Sequence, residues 1–229
     1  MMIRSIVLLV ATGAIAAAQP TPGARPDFGQ KLRQNNRELQ QYSFKRRIET
    51  NVKGRRNQRV ELVRFVNGKM ETVPIGPLQG AAQSPGRGLR GMIFGKEIEK
   101  KKEEMKEEAE RLRNLVRQYS PGSDAMQSAL AKAAISRSGS GPDADIRVDA
   151  KGVIQPADSY TILWSVAKRR PVRIEIHAEL DKKPVQLTMD YGSLAEGPFY
   201  AVHTVLSAPA KNLTVVVDTF DYTLTAKAP

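Results

Sequence analysis

The chain contains no cysteine. Disulfides, thiol nucleophiles and thiolate metal sites are therefore excluded, as is the lipid-modified cysteine that anchors a bacterial lipoprotein. Histidine is almost as scarce. His177 and His203 are the only two, and neither HxH nor HExxH spacing occurs, so no metal site is expected. No Gly-x-Ser-x-Gly elbow is present. The glycines between Gly76 and Gly91 lack the Gly-Lys-Ser/Thr ending of a phosphate loop. Isolated carboxylates such as Asp158, Asp190 and Asp218 fall at strand ends or on polar faces. No catalytic residue, metal ligand or cofactor is expected. Aromatic residues are few, at 6% with a single Trp. Beyond the first twenty residues no apolar run approaches the roughly 20 residues a membrane-spanning helix needs.

What is present is a basic chain of 229 residues, 41% hydrophobic and 26% charged. That length accommodates one domain with a real core or two small ones. The formal net charge is +12 and the pI about 10.0, a balance that favours anionic partners. The first residues read as a secretory signal peptide. Arg4 supplies the charged start, Ile6 to Ala17 the apolar core, and Ala16-Ala17-Ala18 the small-x-small cleavage pattern. Residues 1–18 are expected to be removed, leaving a soluble exported protein, periplasmic or extracellular. The other reading, an uncleaved anchor, is disfavoured by an apolar run of only about a dozen residues.

Residues 19–29, with Pro20, Pro22, Gly23, Pro26 and Gly29, are expected to form a flexible leader, and residues 30–229 a single domain with a helical insertion around 92–137. Gln30 to Tyr42 can form a helix with Leu32, Asn36 and Leu39 on one face. Phe44 to Val52 alternates as a half-buried strand, with Arg46 interrupting its apolar face. Gly54 to Asn57 reads as a turn and Arg59 to Val66 as a second strand. Asn67-Gly68 is a two-residue hairpin signal leading into a third strand. Lys96 to Tyr119, dense in Lys, Glu and Arg with a narrow apolar stripe, reads as one long charged helix ended by Pro121-Gly122. It either lies on the sheet by its C-terminal half or serves as a lid. Ser123 can cap a second helix, Asp124 to Ile135. Ser136 to Pro142 reads as a linker, and Ile146 to Val153 as a strand. From Ser159 onward, runs of β-formers broken by Lys, Asp, Gly and Pro turns predict an antiparallel meander.

Thirteen basic and only four acidic residues lie between Arg25 and Lys69. Lys45, Arg47, Lys53, Arg55, Arg56 and Arg59 form a strip that could dock an anionic membrane surface, or that simply supplies solubilising charge. The strip lacks helix-turn-helix or aromatic stacking motifs, and with a signal peptide present nucleic acid is not an expected partner. The oligomeric state is not legible.

The stretch from Gln34 to Tyr42 opening into Phe44–Val52, followed by Thr161–Trp164, Lys168 to Ile176, Val185–Tyr191 and Tyr200-Ala201-Val202, resembles the periplasmic lipoprotein-carrier (LolA/LolB-like) superfamily. That resemblance implies an α+β fold, a curved antiparallel sheet forming an incomplete β-barrel, with the long charged helix and shorter helices packed on it. It also implies a non-catalytic protein that holds an apolar ligand, a lipid or lipoprotein acyl chain, between sheet and helices. The inward strand positions Ile48, Leu62, Ile162, Trp164, Ile174, Ile176, Leu187 and Met189 are the expected lining, with ordinary core as the competing role for each. The alternative function is an envelope interaction protein with a filled core, docking through the basic strip.

Overall fold

The computed structural model describes residues 28–76, 103, 107–119, 123–138, 144–195 and 197–225. The predicted signal peptide, most of the leader, the glycine-rich loop and the first part of the long charged helix lie outside these residues.

The chain folds as helix α1 (Phe28–Leu39), strands β1 (Tyr42–Val52), β2 (Arg55–Val66) and β3 (Lys69–Pro74), helix α2 (residues 107–118), helix α3 (Asp124–Lys132), and strands β4 (Ala134–Ser138), β5 (Asp145–Lys151), β6 (Ser159–Ser165), β7 (Arg170–Leu180), β8 (Lys183–Ser193), β9 (Phe199–Ala208) and β10 (Leu213–Leu224). The ten strands make one curved antiparallel sheet in the order β3-β2-β1-β10-β9-β8-β7-β6-β5-β4. Its ends, β3 and β4, do not pair with each other, so the sheet is not closed into a barrel. Every neighbour is also a neighbour in sequence except β1 and β10, where the N-terminal hairpin joins the end of the meander.

Tight turns set the register. Lys53-Gly54, Asn67-Gly68 and Asp181-Lys182 each place two successive residues at positive φ. That geometry matches the twist of the flanking strands and suits Asn, Asp and Gly. The first turn therefore precedes Arg55, and Arg55 to Asn57 belong to β2 rather than to a turn. Two further elements differ from the sequence expectation. Phe28 belongs to α1 and is 5% exposed, so ordered structure begins before the predicted helix start. Ala134–Ser138 is a strand pairing with β5, where a helix end and a linker were expected. Its exposed, polar sequence carries little β signal; the ladder along β5 supplies the partner.

Side chains facing each other across antiparallel strands share a face of the sheet. One face, here called inner, carries Val148 and Ala150 of β5, Tyr160, Ile162 and Trp164 of β6, Ile174, Ile176 and Ala178 of β7, and Val185 and Leu187 of β8. Helices α1, α2 and α3 pack on this half of the sheet through Phe28, Leu32, Leu112, Leu115, Tyr119 and Met126. In α1 the spacing of Phe28, Leu32 and Asn35 puts three buried residues on one stripe. The Phe28 ring meets Trp164 edge-on at 5.2 Å between centroids. Asn35, rather than the expected Asn36, is the buried amide. It donates to the Phe199 carbonyl at 2.7 Å and accepts from the Phe199 N–H at 2.8 Å, tying α1 to the start of β9. Ser123 caps α3, accepting the Met126 N–H at 3.2 Å.

The far end of α2 is held by a polar contact. The Tyr119 hydroxyl donates to Oδ2 of Asp158, a carboxylate 1% exposed. The same oxygen accepts the Gln155 N–H at 2.8 Å and the Ile154 N–H at 3.3 Å. Burial, and then Asp158, push the Tyr119 phenol well above its ordinary value, so it stays a donor. Closer to the start of α2, Arg111 pairs with Asp181, and Glu108 with Lys211.

Candidate functional site

The buried core stops short of the whole sheet. Among the described residues its contiguous cluster runs from β5 to β8 and the ends of β9 and reaches the partly buried Leu213 of β10, while the buried Ile48 of β1 and Val63 of β2 lie outside that cluster. Where the core stops, two clefts open beside α2.

The first has a volume of about 550 Å³ and lies between α1, the end of α2 and strands β1, β8, β9 and β10. Its walls are aromatic and aliphatic: Phe44, Phe65, Tyr191, Phe199, Tyr200 and Tyr222, with Ile176, Leu187 and Met189 as floor and Leu32 and Leu39 from α1. Phe44 stacks on Tyr222 at 4.7 Å, Tyr200 lies 4.2 Å from Tyr222, and Tyr191 meets Phe199 edge-on at 5.9 Å. Burial pushes the phenols of Tyr160 and Tyr191 well up and that of Tyr222 to about 12. These phenols are neutral at physiological pH, and among the described residues Arg117 is the cleft's one formally charged lining residue.

The second cleft, about 680 Å³, lies between α2 and strands β1, β9 and β10. Ile48, Val52, Leu206, Leu213, Val215 and Val217 form its floor, and Leu112 and Val116 of α2 form one wall. Its rim is charged: Arg46, Arg59, Arg113, Arg117, Lys211 and Glu108. Val116 and Arg117 line both clefts.

Register explains the charged rim. Arg46 sits opposite Glu61, and Ile48 opposite Arg59, so all four share the inner face. Glu61 takes Arg46 at 2.7 Å on one oxygen and Arg59 at 2.7 Å on the other. Burial works against its ionisation, yet the hydrogen bonds and charges of Arg46 and then Arg59 outweigh it and hold the carboxyl below its ordinary value of 4.5.

The sequence-derived site residues divide accordingly. Ile48, Ile176, Leu187 and Met189 line the clefts. Ile162, Trp164 and Ile174 are 0%, 4% and 1% exposed inside the filled core and line neither cleft. Leu62 pairs with Lys45 and therefore lies on the outer face; the buried inner residue of that strand is Val63, 0% exposed. The basic strip is split as well. Lys45, Arg47 and Arg56 share the outer face through the pairs Lys45–Leu62, Arg47–Val60 and Asn51–Arg56. Arg55 and Arg59 face inward, and Lys53 occupies the turn. Lys45 pairs with Asp221, Arg56 with Glu49, and Arg47 covers the Phe220 ring at 5.6 Å. No single surface presents the six cations together.

The aromatic lining was not anticipated. Phe44, Tyr200 and Tyr222 come from three strands that meet only because β1 closes onto β10. Their alternation within each strand was the available signal. The histidines offer little chemistry. His203 Nδ1 lies 2.7 Å from Asp218 Oδ1 on the outer face, and His177 is exposed on the same face. No group of three metal-ligating side chains occurs among the described residues.

In fold outline the chain is similar to known structures. It matches a domain from Vibrio parahaemolyticus assigned to outer membrane lipoprotein sorting, with 7% identity, a TM-score of 0.45, and coverage of 88% of this chain and 93% of that one. It matches a DUF1329 family protein from Desulfovibrio piger at 8% identity and TM-score 0.40, over 88% and 93% of the two chains. A LolA superfamily protein from Nitrosomonas europaea matches at 11% identity and TM-score 0.34, over 88% and 94%. No family model and no curated protein matches the chain. With TM-scores all below 0.5, function has to be argued from the clefts themselves. No helix among the described residues is long and apolar enough to cross a membrane.

Proposed function

We propose that this chain is an exported, non-catalytic carrier that holds the acyl chain of a lipid or acylated protein against the inner face of its sheet. The observation that carries the proposal is the cleft of about 550 Å³ lined by aromatic and aliphatic side chains with neutral phenols. Its size falls within the roughly 300–1,000 Å³ of small-molecule sites. Burying an acyl chain contributes about 0.8 kcal/mol per methylene, so binding needs shape and apolar surface rather than a reactive group. Asn35, whose amide is spent on Phe199, leaves the α1 wall of the cleft without a free buried donor.

The alternative, a filled core acting through a basic strip, is less well supported. Part of the sheet's inner face opens onto clefts, and the strip's cations lie on two faces, several already paired.

Native mass spectrometry of residues 19–229, purified from an envelope fraction and again after addition of fatty acids and single-chain lipids, tests the proposal. Retention of one chain-bearing molecule per protein is the expected result. A mass that stays apo at every lipid concentration refutes it.

A further inference from the structure

Arg117 differs from every other cation of the clefts. Arg46 and Arg59 share Glu61, Arg113 pairs with Glu110, and Lys211 pairs with Glu108. Arg117 has no hydrogen bond or ion pair with any described residue, and with Val116 it is one of the two residues that line both clefts. Arg113 lies one helical turn earlier on the same side of α2, and also lines the second cleft. The single negative charge of Glu61 faces two guanidinium groups, so the opposite wall carries an excess positive charge as well. The aromatic cleft, whose other described lining residues carry no charge, thus holds a guanidinium that no described group neutralises. A guanidinium presents five donors in a planar fork, matched to phosphate and carboxylate oxygens.

We propose that the ligand is an anionic amphiphile whose acyl chain lies in the aromatic cleft and whose phosphate is bound by Arg117 on the α2 wall of that cleft. The proposal rests on the acyl-chain reading above and adds the headgroup. A phosphate at this point reaches Arg117 while its chain points toward Tyr191 and Phe199. Lipids with uncharged heads gain the chain contacts alone. Because Arg117 is exposed, the head contact is screened by salt, whereas the chain contacts are not.

Three single-chain lipids of one acyl length separate the two contributions: lysophosphatidic acid, zwitterionic lysophosphatidylcholine, and uncharged monoacylglycerol. Their binding to residues 19–229 is measured by isothermal titration calorimetry, with glycerol 3-phosphate as the chainless probe. Lysophosphatidic acid is expected to bind about tenfold tighter than monoacylglycerol, the typical scale of one charge-assisted hydrogen-bonded contact. Arg117→Gln removes that difference; Arg117→Lys restores part of it; Lys45→Gln with Arg47→Gln, on the outer face, leaves it intact. Equal affinities for all three lipids in the unaltered protein overturn the headgroup proposal and leave the acyl-chain reading standing. So does a preference that survives Arg117→Gln. Glycerol 3-phosphate binding as tightly as lysophosphatidic acid overturns it in favour of a free-phosphate site. If no lipid binds, both readings fall together.

Discussion

Ala201 is the position where the acyl-chain reading is most exposed to test. It lies on β9, pairs with Tyr191 across the strand gap, and lines the aromatic cleft with a single methyl group. Replacing it by Trp sends an indole into space that the ligand would occupy. The packed core is untouched, because Ala201 is only half-buried and lies outside the core cluster. Its carbonyl accepts the Thr219 hydroxyl at 2.5 Å, a backbone contact the substitution leaves in place. Trp is also favoured over Ala in strands, so no loss of stability is expected. The effect on binding follows from the volume taken. If the indole displaces about four methylenes of the chain, at about 0.8 kcal/mol each, the loss is about 3 kcal/mol. That corresponds to roughly a 200-fold rise in Kd. The assay is titration with monoacylglycerol, accompanied by thermal denaturation. A folded Ala201→Trp protein that binds with unchanged affinity would refute the placement of the chain in this cleft.

Two further outcomes test the framework that holds the cleft open. Tyr119→Phe leaves the buried Asp158 carboxylate without its hydroxyl donor at the end of α2. A hydrogen bond to a charged group contributes about 1.5–3 kcal/mol. At about 2–4 °C per kcal/mol for a chain of this size, a fall in Tm of about 3–12 °C is expected in calorimetry; an unchanged Tm would show that the contact does not hold the helix. Glu61→Gln tests the Arg46–Glu61–Arg59 bridge through pH. The folded carboxyl lies below 4.5 and the unfolded one at its ordinary value. Its stabilisation is therefore complete above about 4.5 and is lost as pH falls through the lower, folded value. The substitution should lower the urea midpoint at neutral pH and flatten its decline through the acid range; an acid limb of undiminished slope would count against the bridge.

Which parts of this molecule were legible in one dimension depends on whether the pattern was local. The meander from Ser159 to Leu224 was readable because its strands alternate, its turns carry Lys, Asp, Gly and Pro, and each strand pairs with its chain neighbour. The Asn67-Gly68 hairpin and the Ser123 cap were readable for the same reason: one turn and one side chain suffice. β2 was not. Its run Val60-Glu61-Leu62-Val63-Arg64-Phe65-Val66 carries apolar residues on both faces, so alternation alone does not say which one points inward. Pairing with β1 decides it, placing Leu62 outside beside Lys45 and Val63 inside. Arg46 looked like an interruption of an apolar face because its partner Glu61 lies across a strand pair, fifteen residues away.

Composition and periodicity by themselves determined the class of this protein: a basic chain without cysteine, with a leader read as an export signal, built as an antiparallel sheet with amphipathic helices. The tertiary structure alone decided where that sheet is filled and where it is open. Ile162, Trp164 and Ile174 read like Ile176, Leu187 and Met189 in the sequence, since all are apolar residues at alternate strand positions. The first three are enclosed in the core and line no cleft, while Ile176 and Leu187, also core residues, and the partly buried Met189 reach the wall of the cleft beside α2. That difference depends on how far each helix reaches across the curved sheet. It is a property of packing between distant elements, which the spacing of residues along one strand cannot carry.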